Sequence, residues 1–376
     1  MRILLAGGSG MIGTALKKVA TRAGHDVRAL TRGDTAQDWS WDPVAGVAPP
    51  AAIEWADAVV NLAGASIGAM PWTRRYRGEL VHSRIDTTAT LARAIAAADD
   101  PPAVLVNASA VGYYGNRPGE SLTEQSGPGQ GFLSYLTRRW EATANTARSP
   151  RTRVVTLRTG LVLADGGALA PLIRTSRFYL GARIGRGNQV WPWVGLDDVT
   201  GVILHAVNTQ LDGPVNVVAP AANSSAEVTH MLAQQLGRPS ALVLPAPLIR
   251  LVLGPAADEL LLLSQQVRPA ALVDSGYQFI QPSLAGAIKA ALDGTAGTAL
   301  PPAPAPAATK PAKPAKSTKP AKSTKPASAT AAPSPAAADD LETKTVAQLR
   351  AMARGRGMTG YSKLRKDELL TLLRSS

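Results

Sequence analysis

The feature that most constrains the fold is a run of three glycines, Gly7, Gly10 and Gly13, within GGSGMIG. The run follows the apolar segment RILLA and opens a helix-like segment, TALKKVATRAG. The first glycine permits a tight turn, the second lets a pyrophosphate approach the backbone, and the third lets the helix pack on the strand. Because the amino end of the helix then faces the phosphates, the pattern predicts dinucleotide binding rather than a merely structural turn. The expected contact residues are Gly7, Ser9, Gly10, Met11, Ile12 and Gly13.

Residues 1–297 alternate between apolar runs and amphipathic segments, which predicts an α/β fold with a doubly wound parallel sheet of the Rossmann type. The predicted strands are RILLAG, VRAL, DAVVNLAG, AVLVNAS, RVVTLRTG and VNVVAP. Irregular Gly/Pro-rich stretches follow Leu161. They predict a smaller substrate lobe, formed mainly by residues 161–190 and 220–295.

Composition excludes several kinds of chemistry. The chain has no cysteine and four scattered histidines, so disulfides, iron–sulfur clusters, a cysteine nucleophile and a metal site are not expected. No run reaches the roughly 18 apolar residues of a membrane span. We therefore expect no membrane partner and a cytoplasmic protein.

The end of the second predicted strand, HDVRALTRG, bears on the choice of dinucleotide. Where an NAD enzyme usually keeps an acid for the ribose hydroxyls, this chain has Thr31 followed by Arg32. A guanidinium can pair with a 2′-phosphate, so NADP(H) is favoured over NAD(H). The alternative for Arg32 is a solvated loop charge.

The positive charge is concentrated behind the α/β body. Residues 299–376 hold 14 Lys and Arg and 5 Asp and Glu, giving them +9 of the +13 net charge. Residues 298–338 are almost only Ala, Pro, Lys, Ser and Thr, which predicts a disordered linker. Its lysines recur every third residue and suit phosphates without sequence readout, although a soluble spacer is the alternative: Lys310, Lys313, Lys316, Lys319, Lys322 and Lys325.

Residues 339–376 predict a small all-α module. TVAQLRAMARGRG forms a first helix with Thr345 and Gln348 as a capping box, and Ser362 caps a second, KLRKDELLTLLR. The expected core is Leu349, Met352, Tyr361, Leu369 and Leu373.

Several motifs together resemble an extended short-chain dehydrogenase/reductase: GGSGMIG, NLAG at 61–64, NASAVGYYG at 107–115, LRTGLVL at 157–163 and WPWVGLDDV at 191–199. More narrowly, they resemble NAD-dependent epimerase/dehydratase-like proteins that end in a small domain of unknown function, here about residues 243–292. The resemblance implies a Rossmann fold, a bound nicotinamide nucleotide contacted also by Leu62, Ala63 and Gly64, and a sugar-like or other hydroxyl/carbonyl substrate. The resemblance also leaves open whether the protein forms a homodimer.

The resemblance implies a catalytic serine and a Y-x-x-x-K tyrosine whose lysine lowers its pKa. Ser109 matches the serine, but no Y-x-x-x-K occurs in the chain. Tyr135 and Arg139, four residues apart, are one candidate pair, and Tyr113 or Tyr114 is the alternative proton donor.

Other residues of the body have two interpretations each. Arg158, Trp191 and Trp193 either face the substrate or pack. Asp197 and Asp198 are a carboxylate base or, as we favour, the cap of the helix VTGVILHAV.

The tail, LETKTVAQLRAMARGRGMTGYSKLRKDELLTLLR, resembles the helix–extended loop–helix module at the N-terminus of the Rho transcription terminator, related in shape to SAP domains. This implies binding to DNA or RNA, and with it association with the nucleoid. Besides the linker lysines, the expected contacts are Arg350, Arg354, Arg356, Lys363, Arg365 and Lys366.

Two functions are therefore expected in competition. The first, which we predict, is an NAD(P)-dependent oxidoreductase or epimerase/dehydratase tethered to nucleic acid by its tail; Ser109 in place and a complete substrate lobe favour it. The second is a nucleic-acid-binding protein whose body senses the nicotinamide nucleotide without catalysis, which the missing lysine favours. A tail that only solubilises the protein is the third.

Overall fold

The structure is a computed structural model. It describes residues 1–33, 38–166, 169–177, 181–240, 242–302 and 365–374, together with Val346, Leu349 and Ala353. The chain divides into two compact units, Met1–Lys310 and Pro311–Ser376. The six linker lysines and Arg350, Arg354, Arg356 and Lys363 lie outside the described residues.

The first unit contains fifteen described strands and ten described helices. The strands are β1 Arg2–Ala6, β2 Asp26–Thr31, β3 Trp39–Ser40, β4 Ala58–Asn61, β5 Val104–Ala110, β6 Arg117–Leu122, β7 Arg153–Thr159, β8 Leu161–Leu163, β9 Ala182–Ile184, β10 Val190–Trp191, β11 Trp193–Gly195, β12 Gly213–Val217, β13 Asn223–Ser224, β14 Leu242–Leu244 and β15 Gln265–Val267. The helices are α1 Met11–Arg22, α2 Pro50–Trp55, α3 Arg74–Ala97, α4 Phe132–Ala144, α5 Leu169–Arg177, α6 Leu196–Asn208, α7 Ser225–Gln235, α8 Ala246–Leu253, α9 Ala270–Asp274 and α10 Leu284–Leu292. A 3-10 turn spans Val111–Tyr114 and a π-helical turn spans Ala257–Leu261.

Seven strands form one sheet in the order β12-β7-β5-β4-β1-β2-β3, and every neighbouring pair is parallel. The order reverses between β1 and β4, because β2 and β3 extend the sheet on one side and the later strands extend it on the other. In open α/β sheets this switch point is where a ligand binds, beyond the carboxyl ends of the strands. The predicted Rossmann-type sheet is confirmed, and all six predicted strands belong to it.

Both faces of the sheet are buried. In β1, Ile3 and Leu5 pack into one apolar cluster with α1 and α6, whereas Leu4 and Ala6 pack into a second cluster with α2 and α3. Full burial on both faces explains why these strands read as continuous apolar runs in the sequence.

A smaller lobe is built from short strands and from α5, α7, α8 and α10. Its apolar cluster includes Trp191 and Trp193, which are 3% and 1% exposed. The indole N–H of Trp191 donates to the carbonyl of Leu261 over 3.1 Å, and that of Trp193 to Oδ1 of Asn223 over 2.9 Å. Both tryptophans therefore pack inside the lobe.

The cap expected from Asp197 and Asp198 is wrong. The residue before α6 is Gly195, without a side-chain cap, and both aspartates lie inside the first turn. Asp198 accepts from the backbone N–H of Ile280 and Gln281 over 2.8 and 2.9 Å. Asp197 Oδ1 accepts from the backbone N–H of Thr298 and Ala299, each over 2.8 Å, so both carboxylates hold distant segments on the helix.

The second unit is described through Val346, Leu349, Ala353 and helix α11, Lys366–Arg374. Leu349 and Leu369 are fully buried, as expected of core positions. Glu368 accepts the backbone N–H of Arg365 over 2.7 Å at the start of the helix. Met352, Tyr361 and Ser362 lie outside the described residues, as do the side chain of Leu373 and the capping box of Thr345 and Gln348.

No helix in the described parts of the chain combines the length and apolar character that crossing a membrane requires.

Candidate functional site

The glycine turn between β1 and α1 packs backbone against backbone on the loop that follows β4. Gly7 has a φ of +86°, which favours glycine, and a Cβ there would lie 2.6 Å from the carbonyl carbon of Leu62. A Cβ on Gly13 would run into the carbonyl oxygen of Gly7 and lie 2.8 Å from Cα of Gly8. Both glycines are therefore required by close approach at the switch point.

Gly10 differs, because a Cβ there would meet only the carbonyl oxygen of Gly7, at 3.5 Å. It precedes α1 in an extended conformation, without a side-chain cap, and the first turn of α1 has no acidic residue. The first N–H groups of a helix have no intrahelical partner and carry partial positive charge. This bare helix end fits an anionic diphosphate, as the glycine spacing predicts.

Three further residues of the turn have distinct environments. Ser9 is exposed. Met11 and Ile12 are partly buried and pack against the cluster of Ala15, Ala164 and Leu196. The turn is thereby fixed on α6 and on the segment after β8.

The end of β2 carries the groups expected to select the dinucleotide. The hydroxyl of Thr31 donates to the carbonyl of Gly33 over 2.6 Å, and Arg32 is exposed. Asp38 accepts the backbone N–H of Ala29 over 2.8 Å and lies 3.8 Å from Lys17 Nζ. This carboxylate is thus already engaged by the protein.

The NLAG loop after β4 is anchored from two sides. The N–H of Leu62 donates to the carbonyl of Ala6 over 2.9 Å, which ties the loop to β1. The N–H of Ala63 donates to Asn61 Oδ1 over 3.2 Å, and that of Ala65 to Ser83 Oγ, on α3, over 3.0 Å. Leu62 and Ala63 consequently lie beside the glycine turn, where the resemblance predicts cofactor contacts, and Gly64 follows them against the side chain of Arg84.

A second group of polar residues lies at the carboxyl ends of β5, β7 and β12. Ser109, Arg158 and Asn216 form one row across these strands and are all buried. The hydroxyl of Ser109 donates to Glu141 Oε1 over 2.7 Å. Arg158 holds the same carboxylate in two hydrogen bonds of 2.8 Å, from Nε and Nη2. The Ser109 hydroxyl is therefore hydrogen-bonded to a carboxylate that also forms a buried ion pair with Arg158.

Both tyrosines after β5 contact Arg158. Nη1 of Arg158 donates to Tyr114 Oη over 3.0 Å, and Tyr114 Oη lies 2.7 Å from Oδ1 of Asn216. Burial raises the pKa of the Tyr114 phenol, while the Arg158 cation opposes that rise. Cζ of Arg158 lies 3.5 Å from the ring centroid of Tyr113, a cation–π contact. Arg158 thus contacts both alternative proton donors.

Tyr135 and Arg139 contact each other on the outer side of α4. Arg139 Nη1 donates to Tyr135 Oη over 3.2 Å, and Tyr135 is 47% exposed. Glu141, which binds Ser109, lies on the buried side of the same helix, about 120° around its axis from Tyr135. The structure brings together Ser109, Tyr113, Tyr114 and Arg158, but it separates them from the Tyr135–Arg139 face. The catalytic role of that pair stays a prediction.

Sequence reasoning missed Glu141 and Asn216. The available signal for Glu141 was a charged residue on the otherwise uncharged buried face of α4, in register with Leu133 and Thr137 at spacings of four. In the described parts of the chain, no group of three or more His, Asp or Glu side chains has the arrangement of a metal site. Two open clefts of about 370 and 300 Å³ share Arg177 in the smaller lobe and are lined by none of the residues discussed above.

Comparison with known proteins decides the family. The model of the NAD dependent epimerase/dehydratase family matches residues 3–219, more than half of the chain. The chain belongs to the NAD dependent epimerase/dehydratase family. A domain of unknown function (DUF1731) matches residues 244–291, close to the expected 243–292, and the Rho termination factor N-terminal domain matches residues 340–374.

Relatives within the epimerase/dehydratase family cover most of the body. An epimerase family protein of Mycobacterium leprae is 40% identical over 281 residues, 74% of this chain and 91% of its own length. The crystal structure of the human epimerase family protein SDR39U1 (isoform 2) with NADPH matches with a TM-score of 0.73 and 34% identity, covering 78% of this chain and 99% of its own. A nucleoside-diphosphate sugar epimerase of Corynebacterium glutamicum matches with a TM-score of 0.64 and 31% identity, over 78% of this chain and 58% of its own.

Proposed function

We propose that the chain is an NADP(H)-dependent oxidoreductase or epimerase/dehydratase acting on a hydroxyl- or carbonyl-bearing substrate. The observation that carries this proposal is the glycine turn at the switch point, where a bare helix end and two glycines required by close packing form a cradle for a diphosphate. The human relative crystallised with NADPH supports the same cofactor class. The nucleotide-sugar epimerase of Corynebacterium glutamicum supports a sugar-like substrate.

The preference for NADP(H) over NAD(H) rests on the end of β2. Arg32 is exposed there, and a guanidinium can pair with the 2′-phosphate. Asp38 has its Oδ1 turned to the backbone N–H of Ala29 and to Lys17, so one of its two carboxylate oxygens is already engaged by the protein. Arg32→Ala should therefore weaken NADPH binding and leave NADH binding almost unchanged.

When bound, the nicotinamide supplies hydride transfer to or from a substrate carbon. Ser109 would accept a hydrogen bond from the hydroxyl form of the substrate, because its own proton is donated to Glu141. Tyr113 would exchange the proton of that oxygen, and the Arg158 cation lies against its ring, with Cζ 3.5 Å from the ring centroid. Arg158 replaces the missing lysine as a charge, but it cannot relay protons because it stays protonated.

The first experiment compares NADPH binding to three full-length proteins by fluorescence titration. Gly10→Ala adds a methyl that the fold tolerates at 3.5 Å, but it fills the space where a diphosphate would approach. We expect affinity at least about tenfold weaker, equivalent to about 1.4 kcal/mol. Gly78→Ala, on α3 with no atom within 4 Å of the added Cβ, is the matched control. Equal NADPH affinity in all three proteins would contradict the proposed cradle.

We further propose that the tail tethers this body to DNA or RNA. The match to the Rho termination factor N-terminal domain and the +9 charge of residues 299–376 support it. Labelled single-stranded RNA, single-stranded DNA and duplex DNA would be titrated with the full chain and with a variant carrying the six linker lysines as Gln. The tether predicts a steep salt dependence whose slope falls in the variant. If both proteins lose their nucleic-acid affinity equally at modest salt, the tail has only the solubilising role.

The same titration separates the second function, a nucleotide sensor. Repeating it with saturating NADPH measures coupling, since a ligand that shifts nucleic-acid affinity must itself bind more or less tightly when nucleic acid is bound. An unchanged constant supports a tethered enzyme. A shifted constant supports the sensor.

A further inference from the structure

Arg84 lies beside the NLAG loop on helix α3. A Cβ on Gly64 would lie 3.3 Å from both Cγ and Cζ of Arg84, so the side chain covers this glycine. Its Cζ is also 5.1 Å from the ring centroid of Trp140 on α4. The guanidinium is therefore held between the loop after β4 and the helix that carries Glu141.

This guanidinium has no acidic partner in the described parts of the chain. Its Nη1 donates to the carbonyl of Leu80 over 3.2 Å, and none of the described ion pairs includes it. Arg84 is partly buried, whereas Arg158, which is fully buried near the site, has the carboxylate of Glu141 in two hydrogen bonds. A cation withdrawn from water without a counter-ion is costly unless a ligand supplies the charge.

Burial also changes the pKa of the Arg84 guanidinium. Removal from solvent lowers the pKa of Arg84 to about 10. The side chain remains charged at neutral pH, and an anion beside it would recover part of the lost solvation. A guanidinium offers five N–H donors in a planar fork, the geometry that carboxylates and phosphates accept.

The neighbours of Arg84 indicate which part of the proposed site its guanidinium faces. Gly64 follows the loop residues that contact Gly7, and Trp140 precedes Glu141, the partner of Ser109. The diphosphate of the proposed cofactor already has the amino end of α1. Arg84 is one helical turn before Thr88, whose hydroxyl donates over 3.3 Å to Oδ1 of Asn107, two residues before Ser109 on β5. Arg84 therefore lies on the face of α3 that packs toward the strand of Ser109, where the substrate would be placed.

We propose that Arg84 binds an anionic oxygen group, a carboxylate or phosphate, of the substrate in the cleft next to Ser109. The inference rests on the proposed function and narrows its substrate class to anionic molecules. The diphosphate of the cofactor also carries anionic oxygens that a guanidinium could bind, and the experiment distinguishes the substrate group from this diphosphate. A purely structural Arg84 would only stack on Trp140 and fix the NLAG loop.

The test uses inorganic phosphate as the probe and the full-length protein, with and without saturating NADPH. Phosphate binding is followed by thermal unfolding at constant ionic strength, with chloride as the reference anion, and NADPH affinity is measured separately by fluorescence. Arg84→Gln removes the charge, and Arg84→Lys keeps the charge and the stem but loses the planar fork. Arg93→Gln is the control, because Arg93 is exposed on the same helix about 13 Å further along its axis.

We expect phosphate to stabilise the wild type and the Arg93→Gln protein equally in the presence of NADPH. Arg84→Gln should weaken phosphate binding at least about tenfold, and Arg84→Lys less, while NADPH affinity stays the same. Should Arg84→Gln fail to fold, the Arg84→Lys comparison carries the result through its intermediate affinity.

Three results would overturn the proposal. Equal phosphate binding in folded wild-type, Arg84→Lys and Arg84→Gln proteins would leave only the stacking role. Phosphate that competes with NADPH, with NADPH affinity lost in Arg84→Gln, would assign Arg84 to the cofactor instead. No phosphate binding by the wild type would remove the anion site. Absence of NADPH binding by the wild type refutes the proposed function separately, because phosphate binding can still be measured on the protein alone.

Discussion

The hydroxyl of Ser109 and the carboxylate of Glu141 are joined by a hydrogen bond of 2.7 Å, although 32 residues separate them in the chain. The same carboxylate is paired with Arg158, so the serine is fixed by a buried ion pair and not by solvent. Ser109 is thereby held in one orientation before any substrate arrives.

Breaking this ion pair should be strongly destabilising. Glu141→Ala leaves Arg158 buried without a counter-ion, and we expect a loss of about 3–5 kcal/mol in the free energy of unfolding. Urea unfolding measures it. Asp293→Ala is the control, because its pair with Lys289 is exposed and should be worth about 1 kcal/mol or less. A loss from Glu141→Ala no larger than the control's would show that the buried pair does not hold the site.

Gly13 on α1 and Gly78 on α3 should respond differently to one added methyl group. Gly13→Ala forces the added Cβ into the backbone of Gly7 and Gly8, so we expect a loss of about 1–3 kcal/mol together with weaker NADPH binding. Gly78→Ala meets no neighbour within 4 Å and should gain up to about 1 kcal/mol from helix propensity. Both are measured by urea unfolding. Equal stabilities would mean that α1 does not pack on β1 as described.

Proton exchange can be assigned by removing single phenol hydroxyls. With a carbonyl substrate found by screening, Tyr113→Phe should lower the rate of NADPH oxidation by about 10²-fold or more. Tyr135→Phe should leave the rate unchanged, because Tyr135 lies on the outer side of α4. The reverse pattern would favour the Tyr135–Arg139 pair.

His205 should make stability depend on pH. Burial lowers the pKa of His205 below its ordinary value of 6.5, so the folded state prefers the neutral imidazole. The unfolded chain then binds more protons, and this part of the stability is full above pH 6.5 and is lost as the pH falls toward the folded pKa. The free energy of unfolding of His205→Gln should fall less steeply between pH 7 and pH 5 than that of the wild type, by urea unfolding. Parallel pH profiles would contradict this contribution.

The sequence was sufficient for the sheet because its parallel strands are buried on both faces. RILLA and AVLVNAS are apolar runs that alternate with amphipathic segments, and this alternation predicts β1 and β5 as buried strands. Strand β3 was not predicted because two residues, Trp39 and Ser40, carry no periodicity. The glycine turn was predictable because its three roles depend on local backbone geometry.

The polar interactions of the site depend on how distant segments dock. In the sequence, Glu141 is indistinguishable from the other polar residues of an amphipathic helix. Its role becomes visible only in the fold, where α4 lies against β5 and Glu141 accepts a hydrogen bond from Ser109. The sequence suggests a helix cap at Asp197 and Asp198 because they lie at the start of a helix. In the structure, their carboxylates instead accept hydrogen bonds from backbone N–H groups more than 80 residues away. Spacing along the chain contains no information on such partners.

The backbone of Thr298 has a mechanical consequence. Its N–H donates to Asp197 on α6, and its carbonyl accepts from Nη1 of Arg22 at the end of α1, over 2.8 and 2.9 Å. The next residue, Ala299, also donates its N–H to Asp197 over 2.8 Å. A pull on the chain beyond Ala299 is therefore borne by three hydrogen bonds, which hold this segment to α6 and α1. Because α1 begins at the glycine turn, tension from a long polymer held by the tail would reach the body through the helix whose other end forms the proposed diphosphate cradle.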